Sequence, residues 1–84
     1  LLYGSWLDMG MFMQNVMILA RTHGLESCPQ QAWCEFGPTV HKVLDIPEDE
    51  IILSGMSLGY AADAPENTLV SERANVDEFA TFLE

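Results

Sequence analysis

DMGMFMQNVMILARTHGLESCP, residues Asp8 to Pro29, is the stretch around which the rest of the chain must be arranged. Ser5 followed by Asp8 gives an S-x-x-D pattern, in which side-chain oxygens satisfy amides that no helical carbonyl can reach. A helix start near Ser5 is expected. From Met9 to Ala20 the run is rich in Met, Leu and Ala, lacks Pro, and holds only Gly10 as a weak helix former. Arg21 and His23 suit the negative end of the helix dipole, and Gly24 supplies the left-handed residue that commonly closes a helix, so an end near His23 is expected. Apolar side chains occupy almost every side of this helix, which implies cover by a core, an interface or a membrane. A spanning helix needs about 20 mostly apolar residues, and Asp8, Gln14, Asn15 and Arg21 interrupt this one. The reading is a central, buried helix.

That demand for cover sits badly with the length. Eighty-four residues make one domain at most, with a modest core. Either the helix dimerises extensively or part of the fold lies elsewhere. The chain opens at Leu1 inside an apolar phrase, LLYGSWL, and shows one convincing strand. Residues 1–84 are therefore expected to be a C-terminal fragment of a single domain. The formal net charge of -10 argues against attraction to nucleic acid or an anionic membrane. Small molecules or a second copy of the chain are the partners that remain. Cys28 and Cys34 read as reduced, buried thiols of a cytoplasmic protein, since nothing else suggests a secreted disulfide scaffold.

Outward from the helix, Leu1–Trp6 reads as a loop or the tail of a preceding element. Leu25–Gly37, LESCPQQAWCEFG, reads as a loop whose Trp33 and Phe36 either line a site or plug the core. Pro38 suits the first turn of a second helix carrying Val40, Val43 and Leu44, ending near Asp45. Glu48, Asp49 and Glu50 form a solvated turn rather than a cation site, because such sites need further oxygens at defined spacing. Ile51–Leu58, IILSGMSL, is the strand, apolar on both faces, with Gly55 admitting a neighbouring backbone. Ala61–Ala74 is loop-like and contains Arg73, the one basic residue of the C-terminal half. Its guanidinium fork suits phosphate or carboxylate, or else an ion pair with Glu72 or Asp77. Asn75 and Glu78 signal a last helix with a stripe of Phe79, Phe82 and Leu83.

The chain carries no P-loop, G-x-G-x-x-G or serine elbow. His23, Cys28, Cys34 and His41 are zinc-type ligands, but at intervals foreign to the common zinc knuckles, so no metal site is assigned. No side chain stands out as a catalytic acid, base or nucleophile.

Longer phrases are more specific. D-x-G-x-x-x-Q-N (from Asp8), G-L-x-x-C-P-Q (from Gly24), L-x-I-P-x-D-E-I (from Leu44), G-M-x-L-G-Y (from Gly55) and the segment Asn67–Arg73 occur together. This set resembles the C-terminal part of the nitroreductase family of FMN-dependent oxidoreductases. The resemblance implies an α+β fold with a mainly antiparallel sheet, assembled as a homodimer with FMN at the subunit interface. It also implies NAD(P)H as reductant and a nitroaromatic, quinone or related small molecule as electron acceptor, by ping-pong hydride transfer. Pro29, Gln30 and Gln31 would lie near the isoalloxazine, mainly through backbone groups, and Ser71 and Arg73 near the FMN phosphate. The family's N-terminal Arg/Ser-rich cofactor segment has no counterpart here. Two other readings stand beside this one: a small acidic helical interaction module without catalysis, and a family member that binds flavin without acting as an enzyme.

Overall fold

The computed structural model describes residues 2–84. Helix α1 runs from Tyr3 to Thr22, two residues earlier at its start than Ser5. Leu2 stands at the cap without a side-chain hydrogen bond, so the Ser5/Asp8 pattern lies inside the helix instead of opening it. Tyr3–Trp6 is thus helix and not loop: no proline interrupts it, and the turn runs on into α1 in spite of Gly4.

The other end closes as expected. Gly24 takes φ 71°, the amide of Leu25 donates to the carbonyl of Ala20 at 3.0 Å, and that of Gly24 to Arg21 at 3.1 Å. This pair of bonds is the Schellman closure, which needs a left-handed residue and turns the chain sharply. The turn sends the chain directly into strand β1, Glu26–Gln30, where a loop was expected. Strand β2 is Gly55–Gly59, antiparallel to β1, with Glu26 opposite Gly59, Cys28 opposite Ser57 and Gln30 opposite Gly55. The expected single strand Ile51–Leu58 is therefore corrected twice. It has a partner, and it begins at Gly55, with Ile51–Ser54 outside the ladder. Pro29 obscured β1 in the sequence, yet proline is admitted on an edge strand, and in a two-stranded sheet both strands are edges.

Between the strands, Gln31–Phe36 coils into a 3₁₀ segment that runs into α2, Gly37–Leu44, with Pro38 in its first turn. Helix α2 ends on Asp45 at φ 53°, with Ile46 donating to the His41 carbonyl at 3.0 Å. Both long helices thus close through a left-handed residue, one a glycine and one an aspartate that tolerates that region better than most. Glu48–Glu50 is an exposed turn.

Beyond Gly59 the chain is mostly irregular, with a 3₁₀ turn at Pro65–Thr68 and a single helical turn, α3, at Val76–Phe79. The carboxylate of Glu78 accepts from the Asn75 amide at 3.4 Å, the expected capping box. The helix stops at Phe79, however, so Phe82 and Leu83 do not extend a helical stripe and are exposed. A single turn cannot recover the cost of helix nucleation without packing.

Ala20, 7% exposed, is the one buried apolar side chain among the described residues. Phe12, Ile18 and Leu19 on α1 are all more than half exposed. The accessible surface is 7843 Å², against about 5,000 Å² for a compact monomer of this length. The radius of gyration is 16.8 Å, against about 12 Å for such a monomer. The apolar helix is therefore uncovered by its own chain. No helix among the described residues is long and apolar enough to cross a membrane.

Candidate functional site

The chain reversal at Gly24 carries residues 26–30 alongside β2, so Pro29 and Gln30 lie at the end of the ladder that faces Met56 and Gly55. Gln31 opens the 3₁₀ segment immediately after. The three residues expected to meet a flavin are consecutive and share one exposed corner of the sheet.

The Gln30 side chain is held. Its Oε1 accepts from Trp33 Nε1 at 3.1 Å and from Ser57 Oγ at 3.0 Å. The 3₁₀ segment brings Trp33 back over Gln30 at i+3, since side chains three apart eclipse in that geometry. Ser57 reaches Gln30 diagonally across the two strands, two residues beyond its direct partner. Gly55 makes room for the indole: a Cβ there would lie 2.9 Å from Trp33 Cγ, closer than van der Waals contact permits. The neighbour that Gly55 admits is thus an indole ring, not the backbone expected from the sequence. Trp33 and Phe36 are 48% and 58% exposed, so neither plugs a core within this chain.

Two clefts adjoin these residues. One of 650 Å³ lies between α2 and the β1–β2 corner and is lined by Gln30, Trp33, Val40, Val43 and Met56 among others. That volume is within the usual range for small-molecule sites. A second, of 440 Å³, is shared by Gln30, Gln31, Trp33 and Phe36. A larger cleft, of 940 Å³, lies between α2 and the acidic turn and contains none of the expected site residues. Size alone does not mark a site, so the convergent polar groups around Gln30 take precedence.

The second cluster is in the tail. Arg73 Nη1 donates to Ser71 Oγ and to the Glu72 carbonyl, the latter at 3.2 Å. Ser71 and Arg73, paired in the sequence reading, are therefore brought into contact. Among the described residues Arg73 forms no ion pair with Glu72 or Asp77; the one ion pair is Arg21–Glu26, which braces the end of α1 against β1. Among the described residues the three N–H groups of the Nε and Nη2 edge of the Arg73 fork donate to nothing, and such an edge suits bidentate contact with an anion. An arginine edge beside a hydroxyl is a donor set suited to an anionic group.

His23, Cys28, Cys34 and His41 do not assemble, and among the described residues no three His, Cys, Asp or Glu side chains converge on a metal-sized point. Both thiols are free. Cys28 is exposed and Cys34 half-buried, so the expected burial does not hold within this chain, Cys28 lying on a strand of a two-stranded sheet. Ser57 is the group that the sequence reading missed. Its signal was present in G-M-S, where period-two alternation puts residues 55 and 57 on one face.

Residues 4–60 match the sequence pattern of the nitroreductase family. The chain belongs to this family. The matched span is α1 through β2, the part of the chain whose backbone is closed by tertiary pairing. Among relatives, nitrobenzene nitroreductase of Ectopseudomonas oleovorans is 36% identical over 82 residues, covering 96% of this chain and 36% of the relative. The 4-nitrobenzoate reductase of Pseudomonas putida is 39% identical over 80 residues, covering 94% of this chain and 35% of the relative. The crystal structure of the FMN and NADPH-dependent nitroreductase NfnB from sphigopyxis sp. strain HMH superimposes with a TM-score of 0.95 at 39% identity, covering all of this chain and 38% of that one. The chain spans about a third of the length of these nitroreductases. It has an α+β organisation of helices and a small antiparallel sheet.

Proposed function

We propose that residues 1–84 are the C-terminal portion of a single nitroreductase-like domain, and that the whole protein is an FMN-dependent NAD(P)H oxidoreductase. Its acceptors would be nitroaromatics, quinones or related small molecules, reduced by ping-pong hydride transfer in the cytoplasm. The observation that carries this reading is the 36–39% identity to the nitrobenzene and 4-nitrobenzoate reductases over more than nine-tenths of the chain. Excess apolar surface on α1 supports assembly with further sheet and with a second subunit, as a homodimer.

Bound FMN supplies the hydride and electron transfer, for which protein side chains have no equivalent. This chain's residues bind and orient. The backbone of Pro29, Gln30 and Gln31 presents fixed polar groups to the isoalloxazine from the end of the β1–β2 ladder. Arg73, steadied by Ser71, neutralises the phosphate. Trp33 and the apolar wall of the adjoining cleft exclude water beside the reacting ring.

The test is purification of the whole protein. It is expected to be yellow, to release one FMN per subunit on denaturation, and to oxidise NAD(P)H when 4-nitrobenzoate or a quinone is supplied. A folded, colourless dimer that gains no flavin from added FMN overturns the reading. The 84 residues alone are expected to bind FMN poorly, and tight stoichiometric binding by them would contradict the proposed division of the site.

A further inference from the structure

The amide of Gln30 has two ends, and its surroundings decide which faces outward. An indole N–H only donates. With Trp33 Nε1 at 3.1 Å and Ser57 Oγ at 3.0 Å on the same atom, that atom must be the carboxamide oxygen. Among the described residues the Nε2 group of Gln30 donates to nothing, and the residue is exposed at the mouth of the 650 Å³ and 440 Å³ clefts. The arrangement is stiff, because the indole lies on Gly55 where no side chain could fit, and Ser57 reaches across from the other strand.

We propose that Trp33 and Ser57 are positioning residues that lock the Gln30 carboxamide with its oxygen inward. The Nε2 group then stands as a preset hydrogen-bond donor to an acceptor atom in the flavin site. This rests on the reading that residues 29–31 face FMN, and adds a side-chain role to what was assigned there to the backbone. The acceptor is an electron-rich oxygen or ring nitrogen, supplied either by the isoalloxazine or by the nitro or quinone oxygen of the electron acceptor. A donor fixed before binding costs no ordering at the moment of reaction.

The experiment uses the flavin-loaded whole protein. Gln30→Glu retains an oxygen for Trp33 and Ser57 but replaces the outward donor with an acceptor. If the flavin is the partner, FMN Kd is expected to rise by about tenfold, roughly the worth of one hydrogen bond, and the visible flavin spectrum to shift. If the electron acceptor is the partner, its KM is expected to rise by about the same factor with FMN Kd and spectrum unchanged. Ser57→Ala and Trp33→Phe, which unlock the amide without removing it, are expected to give a smaller change of the same kind. Ser57→Thr, which keeps the hydroxyl, is expected to restore it, and that rescue separates positioning from loss of folding. A flavin-bearing wild type whose Gln30→Glu and Ser57→Ala variants keep spectrum, FMN Kd and acceptor KM overturns the proposal alone. A wild type that holds no flavin overturns the functional reading and this proposal together.

Discussion

Tyr3–Gly59 and Tyr60–Glu84 are built by different rules. In the first region a hydrogen bond joins Ser57 to Gln30, 27 residues away, and two strands pair along five positions. In the second, every side-chain hydrogen bond of the described residues spans five residues or fewer, as from Asn67 Nδ2 to the Ala62 carbonyl at 2.6 Å. Long-range bonds fix a residue relative to the whole fold, whereas local bonds fix it only relative to its neighbours. The platform therefore presents Gln30 at a defined place. The tail presents Ser71 and Arg73 as a preformed pair whose place depends on what it meets.

If the contrast holds, substitutions in the platform change stability and those in the tail change binding. The largest effect is expected from Gly55→Val. It drives a branched side chain into the Trp33 indole, and overpacking of that kind costs about 1–3 kcal/mol. Denaturant unfolding of the whole protein should show a lowered midpoint together with a red-shifted tryptophan emission. An unchanged midpoint would mean that the indole does not rest on Gly55. Arg73→Ala is of comparable size and should leave the unfolding midpoint of the flavin-free protein in place while weakening FMN binding. Loss of a charge-assisted bond is worth about 1.5–3 kcal/mol, or at least tenfold in Kd by flavin fluorescence titration. A fall in stability with unchanged FMN affinity would place Arg73 in the platform's class instead.

Gly24→Ala tests the turn that delivers β1. With φ at 71°, a Cβ costs about 1–2 kcal/mol, read as a drop in Tm of the holoprotein. Asp45→Gly at the end of α2 should go the other way by less, since it removes the same strain but adds chain entropy to the unfolded state. The smallest effect is expected for Glu26→Gln. The Arg21–Glu26 pair is well exposed on both sides, and such pairs contribute about 0–1 kcal/mol, screened further by salt. A Tm change that persists at high salt would show the pair doing more than bracing the turn.

Much of the local structure, in platform and tail alike, is legible in the amino-acid order. Gly24 as a left-handed closure, Pro38 in the first turn of α2 and the Asn75/Glu78 capping box are signals carried within about five residues, and all three are present. The flanking phrases from Gly24 and Gly55 pointed to the family that the match over residues 4–60 shows. The errors fell where the deciding partner was distant in sequence. E-S-C-P-Q shows no alternation of its own and becomes a strand only because G-M-S-L-G lies beside it. Gly55 announced a close approach, but only the folded chain says that an indole makes it.

The amino-acid order alone determined where α1 and α2 end, that α1 needs cover, and which family the chain resembles, because left-handed turns, caps and apolar excess are properties of short windows. Tertiary structure decided that β1 exists, that its register sets Gln30 opposite Gly55, and that Trp33 and Ser57 meet on one oxygen. The ladder and the Ser57–Gln30 bond join segments 25 to 33 residues apart, whose closure cost is met only when the whole ladder forms at once.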